Sequence, residues 1–218
     1  YIIRKGDENV SEIVDKAEMA RKSAKDNYLT SLVFYNEKIE EKAKMEREMI
    51  PMFERALRDN RILVYLQPKV AIESGVVIGA EALVRMLDDD GKIVPPMSFI
   101  PILERTGMII QLDFCVLDQV CGLIRKWIDN GIKPIRISVN LSRFDFQEDG
   151  SWEQMHSKIK DYNIPREYLE FEVTETIFYD DVEFIINKLR QLRAKGHKVS
   201  MDDFGSGYSS LNVLKDIE

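Results

Sequence analysis

Ligands for soft metals are scarce: Cys115, Cys121, His156 and His197 are the only cysteines and histidines in 218 residues. The two cysteines form neither a CxxC pair nor a disulfide framework. Their neighbours, Phe114 and Val116, Val120 and Gly122, read as a helix packed into a core, where a free thiol behaves as a small hydrophobe. The histidines fall in polar helical or turn segments, so a zinc site finds no ligand set. Long apolar runs are missing too. No stretch approaches the roughly 20 residues a membrane helix needs, and no basic-then-apolar leader opens the chain. Positive charge is in deficit, with 31 Lys and Arg against 38 Asp and Glu and a net charge of −7. That balance argues against a nucleic-acid polymer as partner, which calls for a basic patch to neutralise phosphates. An anionic small ligand stays open if metal ions supply positive charge locally. These absences fit a soluble protein in a reducing cytoplasm, with any membrane anchor placed upstream of this window.

What is present describes a globular chain, 44% hydrophobic and 32% charged. It starts at Tyr1 rather than Met and stops at Glu218 within an apolar periodic segment, which reads as a window of something longer. Ile13, Ala17, Ala20 and Ala24 recur at helical spacing with Ser11 as their expected N-cap, and 31–35 reads as a short strand. The 36–60 stretch is dense in Glu, Lys, Arg and Met and lacks Gly, which predicts an exposed connecting helix, kinked or restarted at Pro51.

After Asn60 the texture changes to apolar runs of strand length alternating with amphipathic stretches. Strands are expected at 63–70, 76–84, 136–141, 169–174 and 198–202, and helices at 98–107, 112–130, 152–162 and 181–195. The last helix is well signposted: Asp180 and Asp181 open it, and Arg193 and Lys195 precede Gly196. Strand and helix in alternation imply parallel strands with right-handed crossovers. The turn Ile72-Glu-Ser-Gly75 is too short for a crossover, so the first two strands should pair antiparallel. The expected fold is α/β, a TIM-like (β/α) barrel with an antiparallel first strand. The 53–218 stretch falls short of the about 250 residues a complete barrel takes, so closure is not expected within it.

Polar residues fall at the ends of these strands. Glu81 and Arg85 interrupt an apolar run, Asn140 ends one, Glu172 sits inside another, and Asp202 and Asp203 end the last. Barrel enzymes build their sites at such C-terminal strand ends. Grouped carboxylates repel, so a cation must compensate them. Oxygen-only donors suit Mg²⁺ or Mn²⁺ rather than zinc. Glu170, by contrast, is expected to face solvent. Asp203-Phe204-Gly205 lacks the other loops of a kinase, and Gly205-Ser-Gly207 lacks the third glycine of a dinucleotide fingerprint.

Five ordered motifs carry a resemblance. They are Tyr65-Leu-Gln67-Pro68, Glu81-Ala82-Leu83-Val84-Arg85, Ser138-Val-Asn140-Leu-Ser142, Glu172-Val-Thr174-Glu175 and the run from Asp202-Asp203-Phe204 to Leu211. From about Phe53 onward the chain closely resembles the EAL family of cyclic di-GMP phosphodiesterases. The resemblance implies hydrolysis of cyclic di-GMP to the linear dinucleotide with two ions, Mg²⁺ or Mn²⁺. It places Glu81, Asn140, Glu172 and Asp202 on the first metal and Asp202 and Asp203 on the second. It puts Gln67, Leu83, Arg85, Ser206, Gly207 and Tyr208 against the ligand and makes Glu175 the anchor of the 204–210 loop. Met86 stands where the family usually has Trp, and Asp88-Asp89-Asp90 replaces a His-Pro stretch, changes expected at the rim only. The family's Lys-x-Asp segment, which carries its catalytic lysine, would follow Glu218, so residues 1–218 alone are expected to be inactive. Residues 1–35 resemble the C-terminal tail of a GGDEF (diguanylate cyclase) domain, with 36–52 as linker helix and 53–218 as the EAL part. The resemblance also allows a homodimer and an upstream sensor in the same protein. A non-catalytic cyclic di-GMP receptor is the competing reading. A glycosidase on a barrel could use paired carboxylates as well, but Asn140 and the adjacent aspartates suit a metal better.

Overall fold

The computed structural model describes residues 2, 9–25, 32–148, 150–178 and 182–202. The chain divides into two compact units, Tyr1–Glu54 and Arg55–Glu218. In the first, α1 spans Val10–Lys25, and the Asn9 side chain accepts from the Ser11 backbone N–H at 3.0 Å. Asn9, not Ser11, therefore caps the helix. Residues 32–35 carry no strand, because no neighbouring backbone pairs with them among the described residues. Helix α2, Glu37–Arg58, runs unbroken through Pro51. A proline in a helix interior costs about 3 kcal/mol, and the surrounding Glu, Lys, Arg and Met, all strong helix formers, offset it.

In the second unit, β1 (Ile62–Val70) and β2 (Val77–Leu87) form the expected antiparallel hairpin. A two-residue strand missed in the sequence, β3 (Ile93–Val94), pairs antiparallel with the far end of β2. Then follow α3 (Pro96–Thr106), α4 (Ile109–Asp129), β4 (Arg136–Leu141), the single turn α5 (Phe144–Gln147), α6 (Ser151–Asp161), β5 (Leu169–Thr174), α7 (Val182–Ala194) and β6 (Lys198–Asp202). Proline at the first turn of α3 and Gly107 at its end, with φ 73°, mark its limits. Asp180 and Asp181, expected to open α7, lie outside the described residues. Among those described, the sheet order is β1-β2-β4-β5-β6, and β2, β4, β5 and β6 are mutually parallel.

Period-two alternation sorts the strands into two faces. Ile137, Val139 and Leu141 of β4 and Leu169, Phe171 and Val173 of β5 are buried in one core with the apolar stripes of α4, α6 and α7. Burying a leucine- or phenylalanine-sized side chain contributes about 1.5–3 kcal/mol, so this layer supplies much of the unit's stability. Cys121 lies in that core as expected, while Cys115 is only half-buried. The opposite strand face carries Ser138, Asn140, Glu170 and Glu172. No helix among the described residues is long and apolar enough to cross a membrane.

Candidate active site

Strand register brings the polar residues together. Glu81 lies opposite Ser138, Asn140 opposite Glu172, Glu172 opposite Ser200, and Thr174 opposite Asp202. Asn140 Nδ2 donates to Glu81 Oε1 at 3.1 Å, which leaves the amide oxygen to act as an acceptor. Glu172 is buried and accepts through Oε1 from Ser200 Oγ at 3.5 Å and from Lys69 Nζ. Asp202 is exposed at the end of β6. Glu175, buried in the 3-10 turn that follows β5, stands behind the same strand end. Asp203, Ser206, Gly207 and Tyr208, with the rest of the 204–210 loop, lie outside the described residues.

The ligand-facing candidates surround this row. Gln67 is exposed on β1, in register with Glu81. Leu83 and Arg85 are half-buried on β2. The Arg85 guanidinium lies 5.5 Å from the centre of the Tyr65 ring and donates through Nη1 to the Val84 carbonyl at 2.7 Å. Beside them opens a cavity of about 560 Å³, bounded in part by Leu83, Arg85, Ile100, Leu112, Asn140 and Ile177.

Three surroundings differ from the sequence reading. Glu170 does not simply face solvent: it shares the Glu172 face of β5, and its side chain is 20% exposed with Oε2 3.7 Å from Arg136 Nη1. Met86, expected at the rim, is fully buried. Asp88 closes the turn instead, accepting from the backbone N–H groups of Asp90 and Lys92 at 2.9 and 2.8 Å. Asp89 receives Arg61 and Arg55 at 2.7 and 2.8 Å. His197, expected in a polar turn, is 3% exposed. Its ring packs edge-on against Phe171, Trp152 and His156, with centroids 5.4, 6.0 and 5.7 Å away. Burial, followed by the nearby His156, Arg166 and Lys195, pushes its pKa down to about 4. A neutral ring of this kind works as an aromatic wedge between α6 and β5.

A buried acid pair was missed altogether. Asp113 of α4 and Asp145 of α5 place Oδ2 and Oδ1 where no N–H or O–H donor reaches them. The two carboxyls are close enough to act on each other's ionisation, and two buried like charges favour one shared proton over two separate ionisations. Asp145 Oδ2 in turn accepts from the backbone N–H and hydroxyl of Ser142 at 2.7 and 3.0 Å, fixing the bend just past Asn140. Burial raises both acids, Asp145 to about 6 and Asp113 well above the ordinary carboxyl range, and the charge on Asp145 pushes Asp113 further up. A raised folded-state pKa stabilises fully below the unfolded value of about 3.9 and is lost as pH rises through about 6 and beyond. Asp113→Asn keeps a donor for Asp145 and removes the like charge. The variant should gain about 2 kcal/mol more over the wild type at pH 8 than at pH 4. Urea unfolding at the two pH values reads this; an equal change at both would dismiss the shared proton.

With this geometry in place, a family model described as the EAL domain matches residues 51–218. The chain belongs to the EAL family. This EAL chain is 33% identical over 204 residues to the bifunctional diguanylate cyclase/cyclic di-GMP phosphodiesterase MucR of Pseudomonas aeruginosa, covering 94% of this chain and 30% of that protein. It is 33% identical over 207 residues to the signaling protein YkoW of Bacillus subtilis, covering 94% of this chain and 26% of that protein. The chain thus spans less than a third of the length of either relative. Among solved structures it is similar to the PaMucR phosphodiesterase in complex with c-di-GMP. The TM-score there is 0.72 and the identity 35%, over 78% of this chain and 68% of that one. The FimX EAL domain bound to c-di-GMP, 22% identical, shares the fold with a TM-score of 0.69.

Proposed function

We propose that this EAL chain is part of a cyclic di-GMP phosphodiesterase, which opens one phosphodiester of the cyclic dinucleotide to give the linear product with two divalent ions, Mg²⁺ or Mn²⁺. The observation that carries the reading is the 3.1 Å contact between Asn140 and Glu81 with Glu172 in register beside Asn140. Three oxygen-bearing side chains from three parallel strands thus occupy the face turned away from the helices. Membership of the EAL family and similarity to relatives described as phosphodiesterases support it.

The donor chemistry fits a hard cation, being carboxylate and amide oxygen throughout. Among the described residues, no three Asp, Glu, His or Cys side chains gather closely enough to enclose an ion. The set therefore relies on the Asn140 amide and, on this reading, on Asp203. Held by Glu81, Asn140, Glu172, Asp202 and Asp203, the ions would supply a more acidic bound water and a counter-charge for the phosphate. Arg85 offers phosphate oxygens a planar fork of donors. Gln67 and Leu83 flank the same row, and Ser206, Gly207 and Tyr208 complete the ligand contacts. On the same reading Glu175 would anchor the 204–210 loop that carries those three. We read residues 1–35 as the tail of a GGDEF-like domain, in keeping with a match to MucR that extends over 94% of the chain.

The test is to incubate the full-length protein with cyclic di-GMP and Mg²⁺ and follow the linear product by chromatography. Turnover is the expected result. Binding without turnover would replace the enzyme by a cyclic di-GMP receptor, and loss of both would overturn the reading.

A further inference from the structure

Lys69 is the one cation touching the acidic row among the contacts described. It sits near the hairpin turn on β1, opposite Gly79 in register, at the foot of a strand that runs antiparallel to β2. From there its ammonium spans the sheet to β4 and β5. Nζ donates to Ser138 Oγ at 2.8 Å and to Glu172 Oε1. Ser138 Oγ is steadied in turn by the Ala80 carbonyl at 3.4 Å. Ser138 and Glu172 are both buried, whereas the lysine side chain keeps 39% of its surface exposed. Glu172 shows no contact through Oε2 among the described residues. The lysine thus claims one oxygen of a carboxylate that lies in register with Asn140, and the other oxygen is not taken by it.

From this geometry we infer that Lys69 is a built-in counter-charge that sets how tightly the Glu81, Asn140 and Glu172 row holds a divalent cation. The inference rests on the metal reading above. Two effects compete. Holding Glu172 in one rotamer favours cation binding, but only by the small entropy of one side chain. A fixed positive charge on the same carboxylate repels a doubly charged ion through a partly desolvated medium, and that effect is several times larger. Repulsion wins, so Lys69 keeps the cation affinity low while balancing the charge of a buried carboxylate that would otherwise stand alone.

Mn²⁺ titration of the full-length protein by calorimetry at pH 8 tests this, with no substrate and no turnover involved. Lys69→Met should bind Mn²⁺ at least about tenfold more tightly than the wild type. Lys69→Arg, which keeps the charge, should stay within about threefold of it. Lys69→Gln serves as a second neutral variant should the methionine impair folding, which thermal melting reveals. Equal or weaker Mn²⁺ affinity in a folded neutral variant would overturn the role of Lys69 while leaving the metal reading intact. Failure of the wild type to take up Mn²⁺ would overturn both.

Discussion

Glu81→Gln should lower cyclic di-GMP turnover about a hundred- to a thousandfold while leaving the fold in place. The substitution changes charge and little else. A glutamine can still accept the Asn140 Nδ2 donor that Glu81 Oε1 takes at 3.1 Å, so the link between β2 and β4 persists. What disappears is a unit of negative charge midway along β2 on a row with few other donors. Removing one preorganised electrostatic group at a reacting centre typically costs a factor of that size. Cyclic di-GMP binding, proposed above to lean on Arg85 and Gln67, should persist within about tenfold. Single-turnover assays at saturating Mg²⁺, paired with thermal melting, make the comparison. Turnover within threefold of the wild type would remove Glu81 from the reacting centre.

Gly79→Val is expected to cost about 3 kcal/mol or more of stability. By propensity alone valine would improve a strand, a gain of up to about 1 kcal/mol. Contact decides the other way. A Cβ at Gly79 would lie 2.9 Å from the Arg136 carbonyl oxygen, a backbone atom in register on the neighbouring strand. No side chain can swing aside to relieve that approach, so β2 and β4 must separate. Because Glu81 follows two residues on, the damage reaches the active row as well. Urea unfolding should show the midpoint fall sharply, and an unchanged midpoint would mean that the seam between β2 and β4 is looser than its geometry says.

Strands β4, β5 and β6 were legible because apolar and polar residues alternate in them without exception. The limits 136–141, 169–174 and 198–202 return unchanged in β4, β5 and β6. Strand-end placement likewise identified Glu81, Asn140 and Glu172 as neighbours before any coordinates. Failures cluster where the deciding partner is distant in sequence. Pro51 allows a kink or a restart, and the restart does not occur because good helix formers on both sides carry one helix through it. Residues 32–35 have strand composition, but a strand exists only where a second backbone pairs with it. His197 looks polar beside Gly196 and Lys198, and only the packing of Trp152 and Phe171 around it makes it core. Lys69 and Glu172 are 103 residues apart, and Asp113 meets Asp145 across two helices. No local pattern encodes such pairings. An aspartate in the apolar stretch Leu112 to Val116 was the one available signal for the acid pair.

The reversed direction of β1 has a consequence for how this scaffold can vary. Residues of the hairpin near its turn, such as Lys69, reach the row from the foot of the sheet, while Arg85 and the segment after Asn140 reach it from the opposite end. Floor and rim are therefore written in separate stretches of chain. Drift in the short hairpin can adjust the charge beneath the row without disturbing the groups that meet a ligand above it, and the rim can be rebuilt, as at Asp88 to Asp90, over an unaltered floor. Strength of the site and identity of its ligand are free to evolve on different schedules.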